Sequence, residues 1–459
     1  MKSKTPFYDF PPVTAKEWKQ QIQVGLKGKD YNDLLVWDSP DQLKVKPFYH
    51  AEDLQGLAER HIKSPDGWII GQIIDAKDAK TAREKALEAL EKGAESLYFK
   101  VEEEFDLKDL LTDKELSTVP LHFEIPFISH SFTEQYNSVI RTGKGPLFLH
   151  WDVIGQLART GNWHHSMKQD LEMGVGLIRG QFGIHPFSVD GTLYQNAGAT
   201  RVQQLAYTLA HACEYMHLLA SEGKEKSFRQ PVFRMAVDSN YFFEIAKLRA
   251  MRLLWASLAR EFGAPEDCHI IARPTRRNKT LYEYNANMLR TTMECMAAVN
   301  GGADTVLNLP YDALYHKENP FGDRIARNQL LILKEEAYLG SVSNPADGAY
   351  YIETLTSQLA KKALAVFKSI EASGGFLSAL KKHVIQKKIR EQAAKEQESF
   401  DQNELVLVGT NAYSNPEDRM KGELEVTPFA QKRAEKTLLE PILEKRLAEN
   451  MEKKRLEHE

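Results

Sequence analysis

PFSVDGTLYQNAGA, residues 186–199, reads as a short strand, a glycine corner and the opening of a long helix. Taken outward, the same rhythm fills the middle of the chain. Apolar, β-branched runs occur at 68–74, 96–101, 121–125, 147–152, 187–190, 232–237, 269–273 and 304–309. Between them lie stretches of helical period at 78–92, 133–142, 166–179, 197–221, 241–262 and 281–299, and a further one at 323–338 follows the eighth run. Eight strand–helix units over about 270 residues are the count and length of a (β/α)8 TIM barrel, so the fold class is α/β. A doubly wound open sheet is the competing arrangement, but no G-x-G-x-x-G follows the first run.

Outside the barrel, assigned to residues 61–340, two further regions are expected. Residues 1–60 form an extended, aromatic arm, with Phe7, Tyr8, Phe10, Pro11 and Pro12 ahead of one amphipathic helix at 14–26. The arm cannot bury its aromatics alone and lies across its own barrel or a partner subunit. Residues 341–459 read as a helical extension: helices at 351–371 and 376–398 parted by Ser373-Gly374-Gly375, a polar connector at 410–428, and a charged helix at 431–454.

The 459 residues are 42% hydrophobic and 27% charged with a net charge of −4, which gives no reason to expect nucleic acid or an anionic membrane as partner. No apolar run approaches the roughly 20 residues of a membrane span, and the N-terminal stretch lacks the apolar core of a secretory signal. The three cysteines, Cys213, Cys268 and Cys295, are odd in number and widely spaced, as in a reducing, cytoplasmic protein with a metal-free framework.

Chemistry in such barrels gathers at the C-terminal strand ends. Those ends offer Gln72, Asp75, Lys100, Glu102, Glu124, His150, Asp152, Asp190, Asp238, Arg273 and Asn308. Glu124, Asp152, Asp190 and Asp238 could crowd an oxygen-ligand metal site or supply an acid–base pair. The plainer reading has them cap the following helices and pair with Lys100 and Arg273. The strands themselves (SLYFKV, LHFEI, LFLHWD, VFRMAV, HIIAR) carry bulky side chains that would fill the barrel rather than leave an axial passage. His164 and His165, read as neighbours on a helix, point about 100° apart and make a poor chelate. No P-loop, zinc-hydrolase or nucleophile-elbow signature occurs.

Five stretches together resemble the cobalamin-dependent acyl-CoA mutases, specifically the methylmalonyl-CoA mutase family: VDGTLYQNAGA (189–199), NYFFEIAKLRAMRLLW (240–255), NMLRTTMECMAA (287–298), DRIARNQL (323–330) and NPADGAYYIE (344–353). The resemblance runs from about residue 60 to Tyr413 and implies the same barrel. In catalytic members the corner reads like S-G-Y-H-M-Q-E-A-G-A, whose Tyr and His meet the migrating acyl group. Here Thr192 stands where the family has Tyr and Leu193 where it has His, while Gly191, Gln195 and the Ala197-Gly198-Ala199 run are kept. An imidazole can move a proton at a thioester carbonyl and leucine cannot. The family's R-P-W-T-I-R-Q-Y-A-G segment and cobalt-ligating D-x-H-x-x-G are not found, and the 46 residues after Tyr413 are fewer than the roughly 100 of a cobalamin module.

The resemblance therefore implies the small, non-catalytic (β) subunit type. No catalytic, cofactor or metal residue is expected in this chain. Tyr194, Gln195 and Arg273 are candidate vestigial substrate-site positions. Adenosylcobalamin is expected in a large catalytic subunit, with this chain as heterodimeric partner, or self-associating when isolated; the complex would interconvert methylmalonyl-CoA and succinyl-CoA. Two alternatives stand beside this: an active mutase barrel borrowing a separate cobalamin-binding protein, and a CoA-binding regulatory barrel.

Overall fold

The structure, a computed structural model, describes residues 11–56, 62, 64–127, 129, 131–132, 134–136, 145–179, 184–185, 187–221, 230–431 and 435–459. A small antiparallel ribbon joins Trp37–Asp38 (β1) to Lys44–Val45 (β2). The main sheet contains Ile69–Ala76 (β3), Ser96–Val101 (β4), Leu121–Glu124 (β5), Leu147–His150 (β6), Ile184–His185 (β7), Ser188–Asp190 (β8), Val232–Val237 (β9), His269–Pro274 (β10) and Thr305–Leu307 (β11). Its order is β7-β6-β5-β4-β3-β11-β10-β9-β8, every pair parallel. The two ends of that order, β7 and β8, are consecutive in the chain: β8, within the fifth expected run at 187–190, pairs with β9, while β7 lies just ahead of that run, was not expected, and pairs with β6. This closes the barrel.

Strands buried on both faces explain the near-continuous apolar runs; all six residues of β9 are buried. One alternate set faces the axis, where Ile73, Tyr98, Phe148, Val232, Ile271 and Leu307 pack together. Gly71 is needed because a Cβ there would lie 2.4 Å from Leu307 Cδ2. The outward set joins the helices in one large core in which Trp255, fully buried, meets Phe187 and Phe233. Helix starts follow the sequence: Asp78 caps Ala79–Glu91, Asp152 caps Val153–Thr160, and Asn240 caps Tyr241–Glu261.

The first helix, Ala15–Gly25, opens on a Thr14/Glu17 capping box. The described part of the arm lies on its own barrel: Trp37 packs edge-on to Phe243, and Asp41 pairs with Arg201 at 3.2 Å. Phe7, Tyr8 and Phe10 lie outside the described residues, as does most of the 133–142 stretch.

Several expected boundaries differ. The 281–299 helix begins at Ala286, and 376–398 is two helices, Gly375–Lys381 and Val384–Asp401, parted at His383 with φ 58°. The charged helix expected at 431–454 forms only from Glu449 onward, as Glu449–His458; the described residues 435–448 ahead of it are not helical. Pro441 would break a helix there, and the backbone of this segment instead bonds across the barrel loops. Leu439 N donates to Gly161 O at 3.1 Å, Ile442 N to Ala158 O at 2.8 Å, Lys445 N to Asn196 O at 3.1 Å and Leu447 N to Arg277 O at 3.0 Å. Residues 436–448 are thus a strap over the C-terminal mouth of the barrel.

Gly161 anchors the strap. It has φ 80°, and a Cβ would sit 2.4 Å from Leu439 O. Gly161→Ala should destabilise the chain by more than about 1 kcal/mol and speed proteolysis within 436–448; a denaturation midpoint and a cleavage time course check both.

Candidate functional site at the barrel mouth

Under the strap lies a cavity of about 340 Å³ at the C-terminal strand ends. Its apolar wall includes Val101, Ile125 and Trp151, and its polar wall is dominated by arginines: Arg159, Arg234, Arg273 and Arg276.

Arg234, on β9, faces the axis and is buried. It crosses the barrel to donate to Tyr98 OH at 3.0 Å, pairs with Glu124, and comes within 3.5 Å of Asp190. Arg159 donates to Asp190 Oδ2 at 2.6 Å and, through its other nitrogen, to Glu444 of the strap at 2.9 Å. Burial by itself would raise the pKa values of Asp190 and Glu124; the guanidiniums outweigh it and hold both carboxyls below the ordinary range, Arg234 contributing most. Beneath this ion layer, Tyr98, His122, Phe148 and His150 stack, with His122–Phe148 centroids 4.3 Å apart. His150 bonds His122 at 3.1 Å and Ser188 at 2.9 Å. Burial, with Arg234 and His269 nearby, pushes its pKa well down, so the imidazole is neutral. Aromatic rings below and an ion cluster above fill the axis.

Of the strand-end candidates, Lys100, Glu102, Glu124, His150, Asp152, Asp190 and Arg273 are brought to this cavity. Asp152 is held inside: it accepts from Gly155 N at 2.8 Å, Asp190 N at 2.9 Å and Tyr215 OH at 2.9 Å, with His211 Nε2 2.9 Å away. Asp75 sits 3.7 Å from Lys100. Gln72 and Asn308 point outward, to Arg327 and Gln329, each at 2.9 Å, and Asp238 joins Asn278 at 3.0 Å and Arg201 at 3.6 Å. The carboxylates do cap and pair, but the cations are Arg234, Arg159 and Arg201 more than Lys100 and Arg273. His164 and His165 lie in the turn ahead of the Met167–Arg179 helix, not on a helix, and their backbone amides bond Asp170.

At the corner, the Thr192 hydroxyl donates to Asp190 Oδ1 at 2.5 Å. Leu193 is 0% exposed within the main core. Tyr194 turns away from the cavity to His211 Nδ1 at 2.9 Å, and Gln195 accepts from the Thr275 hydroxyl at 2.5 Å. Arg273 alone of the three vestigial candidates lines the cavity. Sequence reasoning passed over Arg159, Arg234, Arg276 and Glu444. Arg234 had a signal: a charge two residues after Val232 in a buried strand needs a partner across the axis. Glu444 had none, being placed only by the strap.

The methylmalonyl-CoA mutase family model matches residues 151–457. The methylmalonyl-CoA mutase small subunit of Porphyromonas gingivalis is 33% identical over 439 residues, covering 89% of this chain and 71% of that one. This chain belongs to the methylmalonyl-CoA mutase family. The small subunit of Streptomyces virginiae is 30% identical, covering 88% and 71%. The methylmalonyl-CoA mutase of Rhizobium meliloti is 26% identical, covering 95% and 69%. The expected family and the expected barrel both hold, and the family match reaches through the strap to the last helix. Among the described residues no single helix is long and apolar enough to cross a membrane.

Proposed function

We propose that this mutase-family chain is the non-catalytic small subunit of a cobalamin-dependent methylmalonyl-CoA mutase, working as the structural partner of a catalytic large subunit. The observation that carries the reading is the corner: Thr192 is bound to Asp190, Leu193 is buried in the core, and neither can donate a proton to a thioester. The filled axis supports it, because Arg234, Tyr98 and Glu124 stand where a long thioester tail would descend. Adenosylcobalamin would be held by the large subunit and supply the radical rearrangement; this chain's residues would stabilise the assembly. The Ala15–Gly25 helix has no buried residue, and Trp18 and Val24 on it are exposed, which suits a partner contact.

The test uses three samples with adenosylcobalamin and methylmalonyl-CoA: this chain, the large subunit, and both. Activity should require the large subunit and rise on adding this chain. Turnover by this chain with only a separate cobalamin-binding protein would overturn the reading and favour an active mutase barrel.

A second reading rests on Arg273 and Arg276. Both line the cavity, and burial, with the neighbouring Arg273 and Arg446 charges, depresses the Arg276 pKa despite the Glu444 carboxylate nearby. On this reading the mouth binds CoA or a small anion as a regulator. Calorimetric titration with CoA checks it; no heat at millimolar ligand removes it.

A further inference from the structure

Away from the mouth, three metal-ligating side chains converge on the barrel flank. Cys213 and His217 lie four residues apart on the Arg201–Ser221 helix, the spacing that puts both on one face. Glu371 approaches from the last turn of the Tyr350–Ala372 helix. One carboxylate oxygen, Glu371 Oε2, stands 3.7 Å from Cys213 Sγ and 3.4 Å from His217 Nε2, and the three ligand atoms all lie within 4.8 Å of one another. Tetrahedral zinc, with bonds of about 2.3 Å to sulfur and about 2.0 Å to nitrogen and oxygen, places sulfur and oxygen roughly 3.5 Å apart and nitrogen and oxygen roughly 3.3 Å apart. The donors already stand close to those separations.

We propose that Cys213, His217 and Glu371 form a binding site for a divalent transition metal of the zinc type, clipping the helix that follows the Gly191 corner to the first helix beyond the barrel. The second carboxylate oxygen, Glu371 Oε1, is buried and has no hydrogen-bond partner among the described residues. Glu214, next to Cys213, is turned to Leu377 N at 2.8 Å and adds negative charge nearby. His217 is 59% exposed and packs its ring edge-on against Phe262, so metal can enter from solvent and water can fill the fourth position.

Without metal, the Cys213 thiol donates to Glu371. A thiol of ordinary pKa, about 8.5, is protonated at neutral pH. Binding therefore exchanges the thiol proton for the metal: one S–H bond breaks, one metal–sulfur bond forms, and one proton leaves to solvent. No oxidant or reductant is required.

The test uses the full chain, treated with chelator and titrated with zinc and, separately, cobalt(II). Expected are one zinc per chain at micromolar concentration, a raised thermal midpoint, and a thiolate-to-cobalt charge-transfer band. His217→Gln changes an exposed residue and should leave the fold intact while weakening zinc binding by about tenfold or more. Cys213→Ser should abolish the cobalt band. Absence of stoichiometric zinc binding, a cobalt spectrum without the thiolate band, or unchanged affinity in His217→Gln would each overturn the site. None of these readouts depends on mutase activity or on the large subunit.

Discussion

Arg234→Met is expected to destabilise this chain by about 3–5 kcal/mol, the cost of stranding buried charge rather than of losing one contact. Arg234 is buried on the axis between Glu124 and Asp190. Removing it leaves Arg159 to serve Asp190 and, among the described residues, no cation as close to serve Glu124. The pH dependence separates this cause from a packing defect. Both carboxyls are held below their ordinary range, so the stabilisation is fully present above about pH 4 and fades as pH falls through the lowered folded values. In Arg234→Met that contribution is lost, so the deficit against the parent should be largest near neutrality and shrink in acid. Replacing Glu124 and Asp190 together by Gln and Asn should restore much of the stability of Arg234→Met. Denaturant midpoints at several pH values measure all of this; a pH-independent deficit would point to packing instead.

Restoring the family histidine by Leu193→His should destabilise the chain by about 2–4 kcal/mol and confer no turnover. Leu193 is fully buried in the apolar core, so the substitution removes apolar burial and inserts a ring whose two nitrogens need partners. Thr192, the neighbouring position, is already committed to Asp190. Stability and thioester turnover of the purified variant check the two halves. Gain of mutase activity on adding a cobalamin-binding protein would show that this one side chain had been the barrier.

Much of the barrel was legible because local chemistry determines it. Parallel strands covered on both faces must be apolar, so all eight runs could be located from composition, and Asp78 and Asn240 mark the starts of two expected helices by their caps; the two-residue β7 and the short Val153–Thr160 helix capped by Asp152 were not expected. The altered corner was equally plain, since Thr192 and Leu193 are read directly. The inward register was not, because alternation by itself does not say which set faces the axis. Arg234 was therefore seen as one more bulky strand residue rather than the cation that fills the barrel.

The strap shows the opposite limit. Its density of Glu, Lys and Arg reads as helix, yet Leu439, Ile442 and Leu447 are buried and its amides bond Gly161, Ala158 and Arg277. Those partners lie about 170–290 residues earlier in the chain, and no local propensity encodes them. By itself, then, the sequence determined the eight-stranded barrel, the altered corner and the family, each set by side chains acting on their near neighbours. The tertiary structure alone decided how the axis is filled, that Glu444 caps the mouth, and that Cys213, His217 and Glu371 meet, because each depends on charges or donors that only folding brings together.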